Sequence, residues 1–237
     1  PIIHDVCLQN LPVTFCLDRA GLSPNDGPTH HGVFDLSFLR CVPNALVMQP
    51  KDEDELQDML FTGISSGQPA FIRYPRGNGL GVALKKSPET IEIGKAEVIA
   101  EGETCSIWAL GPYVESAKKI AEKLSAKYSF ECSLVNVRFV KPLDLELLIK
   151  HASSHDFIVT LEDNALMGGL GSAIMESLQA NDLQVPVKSF GWPDTFIPHG
   201  SSVQELRTKY DLDDQSIIAS IESILNNRQK SSNRAIA

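Results

Sequence analysis

The chain has no surplus of positive charge: 21 Lys and Arg stand against 30 Asp and Glu, for a net charge of −9. A broad nucleic-acid surface needs clustered Lys and Arg, so no nucleic-acid partner is expected. A local basic pocket for one small phosphate is still possible. No apolar run reaches the roughly 18 residues of a membrane-spanning helix, so no membrane span is expected. The first residues, Pro1-Ile2-Ile3-His4-Asp5, lack a basic segment followed by an apolar one, so a signal peptide is not expected either. They do not begin with Met, and they read as though an element were cut through its middle, as in a processed or truncated piece of a longer protein. The five cysteines (Cys7, Cys16, Cys41, Cys105 and Cys132) form no CxxC pair and no zinc-type spacing. Each sits in or beside an apolar stretch, which suits buried free thiols in a reducing compartment. The six histidines are scattered apart from His30-His31, and no metal site is expected. The remainder is ordinary: 43% apolar and 22% charged residues over 237 positions, enough for one large domain or two smaller ones.

Two blocks can be traced. In the first, residues 11–18, 45–50 and 70–74 are short apolar runs of buried-strand length. Between the last two, Pro50 precedes the acidic run Lys51-Asp52-Glu53-Asp54-Glu55, after which Leu56, Met59, Leu60 and Ile64 recur at helical spacing. Carboxylates suit a helix N-terminus, where they meet the positive end of the dipole. Residues 77–93 are rich in Gly, Lys and Pro and read as a linker. The second block alternates. Strands are expected at 105–110, 132–137, 157–161 and 185–190, and helices at 114–124, 143–149, 171–178, 203–210 and 217–225. Such alternation predicts an α/β protein of two parallel-sheet units covered on both faces. The boundaries expected are 1–76, a linker at 77–93, 94–227, and a polar, frayed tail at 228–237.

Four segments could carry chemistry. Residues 18–32, DRAGLSPNDGPTHHG, follow a buried strand and hold three Gly, two Pro, and Asp, Arg and His within a few positions. Ligands of parallel sheets bind outside the carboxyl ends of the strands, where this loop belongs. The plain alternative is a turn-rich connection in which Arg19 pairs with Asp18 or Asp26. Arg73-Tyr74-Pro75-Arg76-Gly77-Asn78 puts two arginines at a strand's end, fit for an anion. Side chains alternate along a strand, so only one faces a ligand, and Arg76 in the loop is preferred. The glycines of Leu161-Glu162-Asp163-Asn164-Ala165-Leu166-Met167-Gly168-Gly169-Leu170-Gly171-Ser172 could offer N–H groups to a phosphate, although close helix–sheet packing explains them as well. Residues 191–200, with His199, read as a packed structural loop.

Taken together and in order, DRAGLSPNDGPTHHGVFDLSFLR, PKDEDELQDMLFTG, RYPRGN, RFVKPLD, LEDNALMGGLGSA and PDTFIPHGS resemble the 1-deoxy-D-xylulose-5-phosphate synthase family of thiamine-diphosphate enzymes. The glycine segment is shared with transketolase-like relatives, and DRAG…DGPTHHG followed by RYPRGN is more specific. The resemblance implies the later part of a transketolase-like pyrimidine-binding domain followed by a transketolase C-terminal domain. It implies decarboxylation of pyruvate, condensation with D-glyceraldehyde 3-phosphate, and entry into the methylerythritol-phosphate route to isoprenoids. Thiamine diphosphate and Mg²⁺ would be the cofactors, the enzyme a homodimer, and the compartment the cytoplasm, or the plastid stroma in a plant or alga. By the same resemblance Arg19 and Arg76 match positions that grip the acceptor's phosphate, and Asp26 and His30 match positions near the cofactor's reactive carbon. His31 reads as a bystander. The family's diphosphate- and magnesium-binding motif and its cofactor-activating glutamate belong to a missing N-terminal part, so the isolated chain is expected to be inactive. The alternatives are another thiamine-diphosphate enzyme, such as transketolase or the β-subunit of a 2-oxoacid dehydrogenase, and a non-catalytic dimerisation or regulatory module.

Overall fold

A computed structural model describes residues 1–128 and 130–236, with side chains described as far as residue 228. After one wide helical turn over Ile2–Cys7, the first block contains β1 (Thr14–Leu17), α1 (Asp35–Arg40), β2 (Leu46–Met48), α2 (Glu53–Ser65) and β3 (Ala70–Arg73). The second contains β4 (Glu97–Ala100), β5 (Cys105–Ala109), α3 (Tyr113–Lys127), β6 (Cys132–Asn136), β7 (Phe139–Lys141), α4 (Leu145–Ser154), β8 (Phe157–Ala165), α5 (Leu170–Ala180), β9 (Val187–Trp192), α6 (Val203–Lys209) and α7 (Asp214–Ile236).

Both sheets have a parallel core and one antiparallel edge strand. The first has the order β1-β3-β2-β7 and the second β4-β6-β5-β8-β9. In the first, β3 lies parallel to β1 and β2, while β7 runs antiparallel to β2. In the second, only β4 is antiparallel. The inner parallel strands β2, β3, β5, β6 and β8 are buried throughout, as their unbroken apolar runs require, while β1 and the start of β9 are partly exposed. Along β5, Ile107 packs into the cluster that holds Tyr113, Ile120, Ile217 and Ile221, while Trp108 faces the other way. That second face is shared between the blocks. Leu36, Leu39, Val47 and Phe71 join Trp108, Val135, Ile158 and Ile174 in one cluster.

The acidic run does more than cap a helix. The Asp52 carboxylate accepts from the Glu55 N–H at 2.8 Å, the expected N-cap. Glu53 accepts from the backbone N–H groups of Leu80 and Val82, Asp54 from Lys85, and Asp58 from Glu89. Residues 77–93 have no regular structure yet are pinned along α2 by these carboxylates. Two expectations need correction. Cys16 and Cys41 are exposed, while Cys7, Cys105 and Cys132 are buried, and all five are free. The tail does not fray at residue 228, because α7 continues through Ile236; Ala237 lies outside the described residues. Among the described residues, no helix is long and apolar enough to cross a membrane.

Candidate functional site

The segment after β1 leaves the sheet at its carboxyl edge, beside the segment after β3, because those strands are adjacent and parallel. The backbone holds the two together: the Tyr74 N–H donates to the Leu17 carbonyl and the Ala20 N–H to the Tyr74 carbonyl. Arg19 and Arg76, far apart in sequence, therefore meet on one carboxylate. Asp26 Oδ2 accepts from Arg19 Nε at 3.3 Å and from Arg76 Nη1 in a short contact. Arg19 Nη1 also donates to Asp18 at 2.5 Å, so it pairs with both neighbouring acids. The Arg76 and Arg19 guanidiniums hold the Asp26 carboxyl below the usual carboxylate range, and Asp26 in turn raises Arg76. A guanidinium carries five N–H donors, and the contact to Asp26 uses one of those on the half-exposed Arg76.

His30 lies on the same loop but is not hydrogen-bonded to this trio in the contacts of the described residues. It is exposed, and its Nδ1 lies 2.9 Å from Thr29 Oγ. His31, its neighbour, is placed differently. It is buried; its Nδ1 accepts from the Ser23 N–H at 2.9 Å, which leaves the proton on Nε2, 3.4 Å from the Pro198 carbonyl. Only burial distinguishes it from His30, and adjacent letters in a sequence carry no such signal.

The alternation of β3 separates Arg73 from Arg76 as expected. Arg73 is fully buried and donates to Gln49 at 2.7 Å, the Gly32 carbonyl at 2.6 Å, Asp35 at 3.2 Å and the Asp163 carbonyl at 3.3 Å. It ties β2, β3, the Asp26 loop, α1 and β8 into one knot.

The glycine segment does not present free N–H groups to an anion at the head of α5. Glu162, fully buried, accepts from the Leu170 N–H at 2.7 Å and the Gly171 N–H at 2.9 Å. Burial pushes its carboxyl up to about 7, against the opposing pull of those two N–H groups and of Arg73 and Arg40. Gly171 is there for close approach: a Cβ would lie 2.8 Å from Ser189 Cβ, so helix and sheet touch through its backbone. A cavity of about 300 Å³ is lined by Tyr74, Pro75 and residues 77–80 beside Lys51, Glu53, Leu56 and Pro112, and none of Arg19, Asp26, His30 and Arg76 lines it. Among the described residues, no three His, Cys, Asp or Glu side chains gather as a metal site.

Residues 1–80 match the transketolase pyrimidine-binding domain and residues 94–217 the transketolase C-terminal domain. The chain is 52% identical, over its whole length, to 37% of a 1-deoxy-D-xylulose-5-phosphate synthase from Methylacidiphilum infernorum. Over 94% of its length it is 51% identical to 35% of the enzyme of that name from Acidobacterium capsulatum. It thus spans little more than a third of the length of these curated relatives. Among solved structures it resembles a split-gene transketolase described as an inactive β4 tetramer (TM-score 0.81, 31% identity, 95% of this chain and 71% of that one). A transketolase from Pichia stipitis shares the fold at 17% identity (TM-score 0.72, 94% of this chain and 32% of that one). With more than half of its residues inside one domain model and a 31%-identical solved relative matched over most of both chains, the chain belongs to the transketolase family.

Proposed function

We propose that this chain is the acceptor-binding part of an enzyme that condenses pyruvate with D-glyceraldehyde 3-phosphate, with loss of CO₂, to give 1-deoxy-D-xylulose 5-phosphate. The observation that carries the reading is the Arg19–Asp26–Arg76 trio, which brings together, across adjacent strand ends, the two arginines the family resemblance assigns to the acceptor's phosphate on an aspartate it assigns near the cofactor's reactive carbon. Identity of 46–52% to four synthases of that name supports the same substrate pair. Arg19 and Arg76 bind the phosphate with their remaining donors, and Asp26 holds the two guanidiniums at a fixed spacing. His30, at the surface of the same loop, delivers a proton to the acceptor's carbonyl oxygen as that oxygen becomes a hydroxyl. In the complete enzyme, Arg76→Ala raises KM for D-glyceraldehyde 3-phosphate at least tenfold while KM for pyruvate stays within about twofold. Equal effects on both substrates would remove the phosphate role.

Thiamine diphosphate and Mg²⁺ belong to this reading as cofactors of the complete enzyme, with their main binding motifs outside this chain. The residues described here do not fit the diphosphate and its metal, since the glycine-flanked helix head that could receive an anion is engaged by Glu162. The isolated chain is accordingly inactive, as the split-gene transketolase, a longer chain of which this one covers 71%, is described to be. Calorimetric titration tests this: micromolar binding of thiamine diphosphate and Mg²⁺ to the isolated chain would overturn it. The reading also includes a division into a pyrimidine-domain part at 1–76, a linker at 77–93 and a C-terminal domain at 94–227. Self-association as a homodimer in the cytoplasm completes it, supported by the exposed Phe34, Phe38, Met167 and Phe196.

A further inference from the structure

The turn that presents Asp26 is seated on a loop from the opposite end of the chain. Within the turn, the Asp26 and Gly27 N–H groups both donate to the Ser23 carbonyl, at 3.0 and 2.9 Å. Residues 198–200 meet it at three points. The Gly200 N–H donates to the Pro24 carbonyl at 3.3 Å. His31 links the Ser23 N–H to the Pro198 carbonyl through its two ring nitrogens. The His199 ring lies directly over Gly27, where a Cβ would fall 2.5 Å from His199 Cδ2 and closer still to Cε1 and Nε2. Gly27 has φ +76, so this position needs glycine both for its backbone and for the imidazole resting on it.

Asp26 follows from that seat. Its carboxylate is the common partner of Arg19 and Arg76, so a displacement of the turn by a fraction of an ångström moves it off one guanidinium and changes the spacing of the pair. We propose that the loop at 193–201 is a positioning element for the acceptor-phosphate site, with His199 the positioning residue that sets the Asp26 turn through Gly27. His199 touches neither arginine in the contacts described; it acts on the grip through one glycine and one carboxylate. The inference rests on the phosphate reading given above and adds to it a residue, far along the chain, that tunes acceptor affinity.

The test is made in the complete enzyme with His199→Ala, His199→Phe and, as a reference, Arg76→Ala. His199 is exposed, so its replacement leaves the fold standing, and an unchanged thermal midpoint verifies this. His199→Ala raises KM for D-glyceraldehyde 3-phosphate about five- to tenfold, with kcat and KM for pyruvate within about twofold. Non-phosphorylated D-glyceraldehyde, which does not use the grip, shows no such loss. His199→Phe, which restores a ring over Gly27, recovers most of the affinity. If Arg76→Ala weakens the phosphorylated acceptor but His199→Ala does not, the positioning role is overturned and the phosphate reading stands. If Arg76→Ala has no selective effect, both fall together. Equal losses on the phosphorylated and non-phosphorylated aldehydes with His199→Ala would also overturn the positioning role.

Discussion

Replacing Glu162 by Gln isolates the effect of one buried carboxyl on stability. Glu162 is fully buried and its pKa is raised from 4.5 to about 7, mainly by loss of hydration, with the Leu170 and Gly171 N–H groups opposing the shift. The folded protein therefore holds this proton more tightly than the unfolded chain does. Between pH 4.5 and 7 the unfolded chain has already lost it, so stability falls as pH rises. The contribution is intact below pH 4.5 and gone above about 7. At about 1.4 kcal/mol per pH unit, the interval amounts to about 3.5 kcal/mol. Gln cannot ionise. It places an NH₂ against one of the two backbone donors, at a cost of about 1–3 kcal/mol that does not vary with pH. Urea unfolding followed by circular dichroism at pH 5 and pH 8 gives the comparison. The wild type loses about 2.5 kcal/mol more than Glu162→Gln between the two values. Parallel pH dependences for the two proteins would refute the assignment of a raised pKa to this carboxyl.

Three further outcomes follow from the packing. Arg73→Met strands Asp35, the Gln49 side-chain oxygen and two carbonyls in a dry interior, and lowers unfolding free energy by about 3 kcal/mol or more, read by urea titration. Gly171→Ala drives a methyl into Ser189 and Thr160 and lowers the thermal midpoint by several degrees, about 1–3 kcal/mol of overpacking. Asp58→Asn weakens the hold on Lys85, and limited trypsin digestion then cuts within residues 77–93 several-fold faster than in the wild type, with no earlier cut elsewhere.

The parallel strands were readable because their neighbours cover both faces, and Cys105 to Leu110 or Phe157 to Leu161 then have to be continuously apolar. The short elements were not. Phe139-Val140-Lys141 makes three residues of β7, too few for a period, and its partner Val47 lies far back in the chain. Asp35–Arg40 is a helix of six residues whose inward Leu36 and Leu39 alone do not separate it from a loop. At the site, residue types and loop positions pointed to the 18–32 loop and to Arg76, and the family resemblance named Arg19, Asp26 and His30; Arg19, Asp26 and Arg76 meet because β1 and β3 are adjacent. The roles of His31, Arg73, Glu162 and His199 depend on burial and on partners many positions away. His31 and His30 differ only in which way the backbone turns them.

The passage of β7 into the first sheet has a practical consequence for dissecting the protein. A piece ending within residues 77–93 would carry β2 without its antiparallel neighbour, exposing a row of unpaired backbone groups beside an uncovered apolar face that includes Val47 and Phe71. Such a piece would associate with other copies through that open flank rather than remain monomeric. The two halves are therefore poor candidates for separate expression, and any cut that keeps the first sheet intact has to fall beyond Lys141.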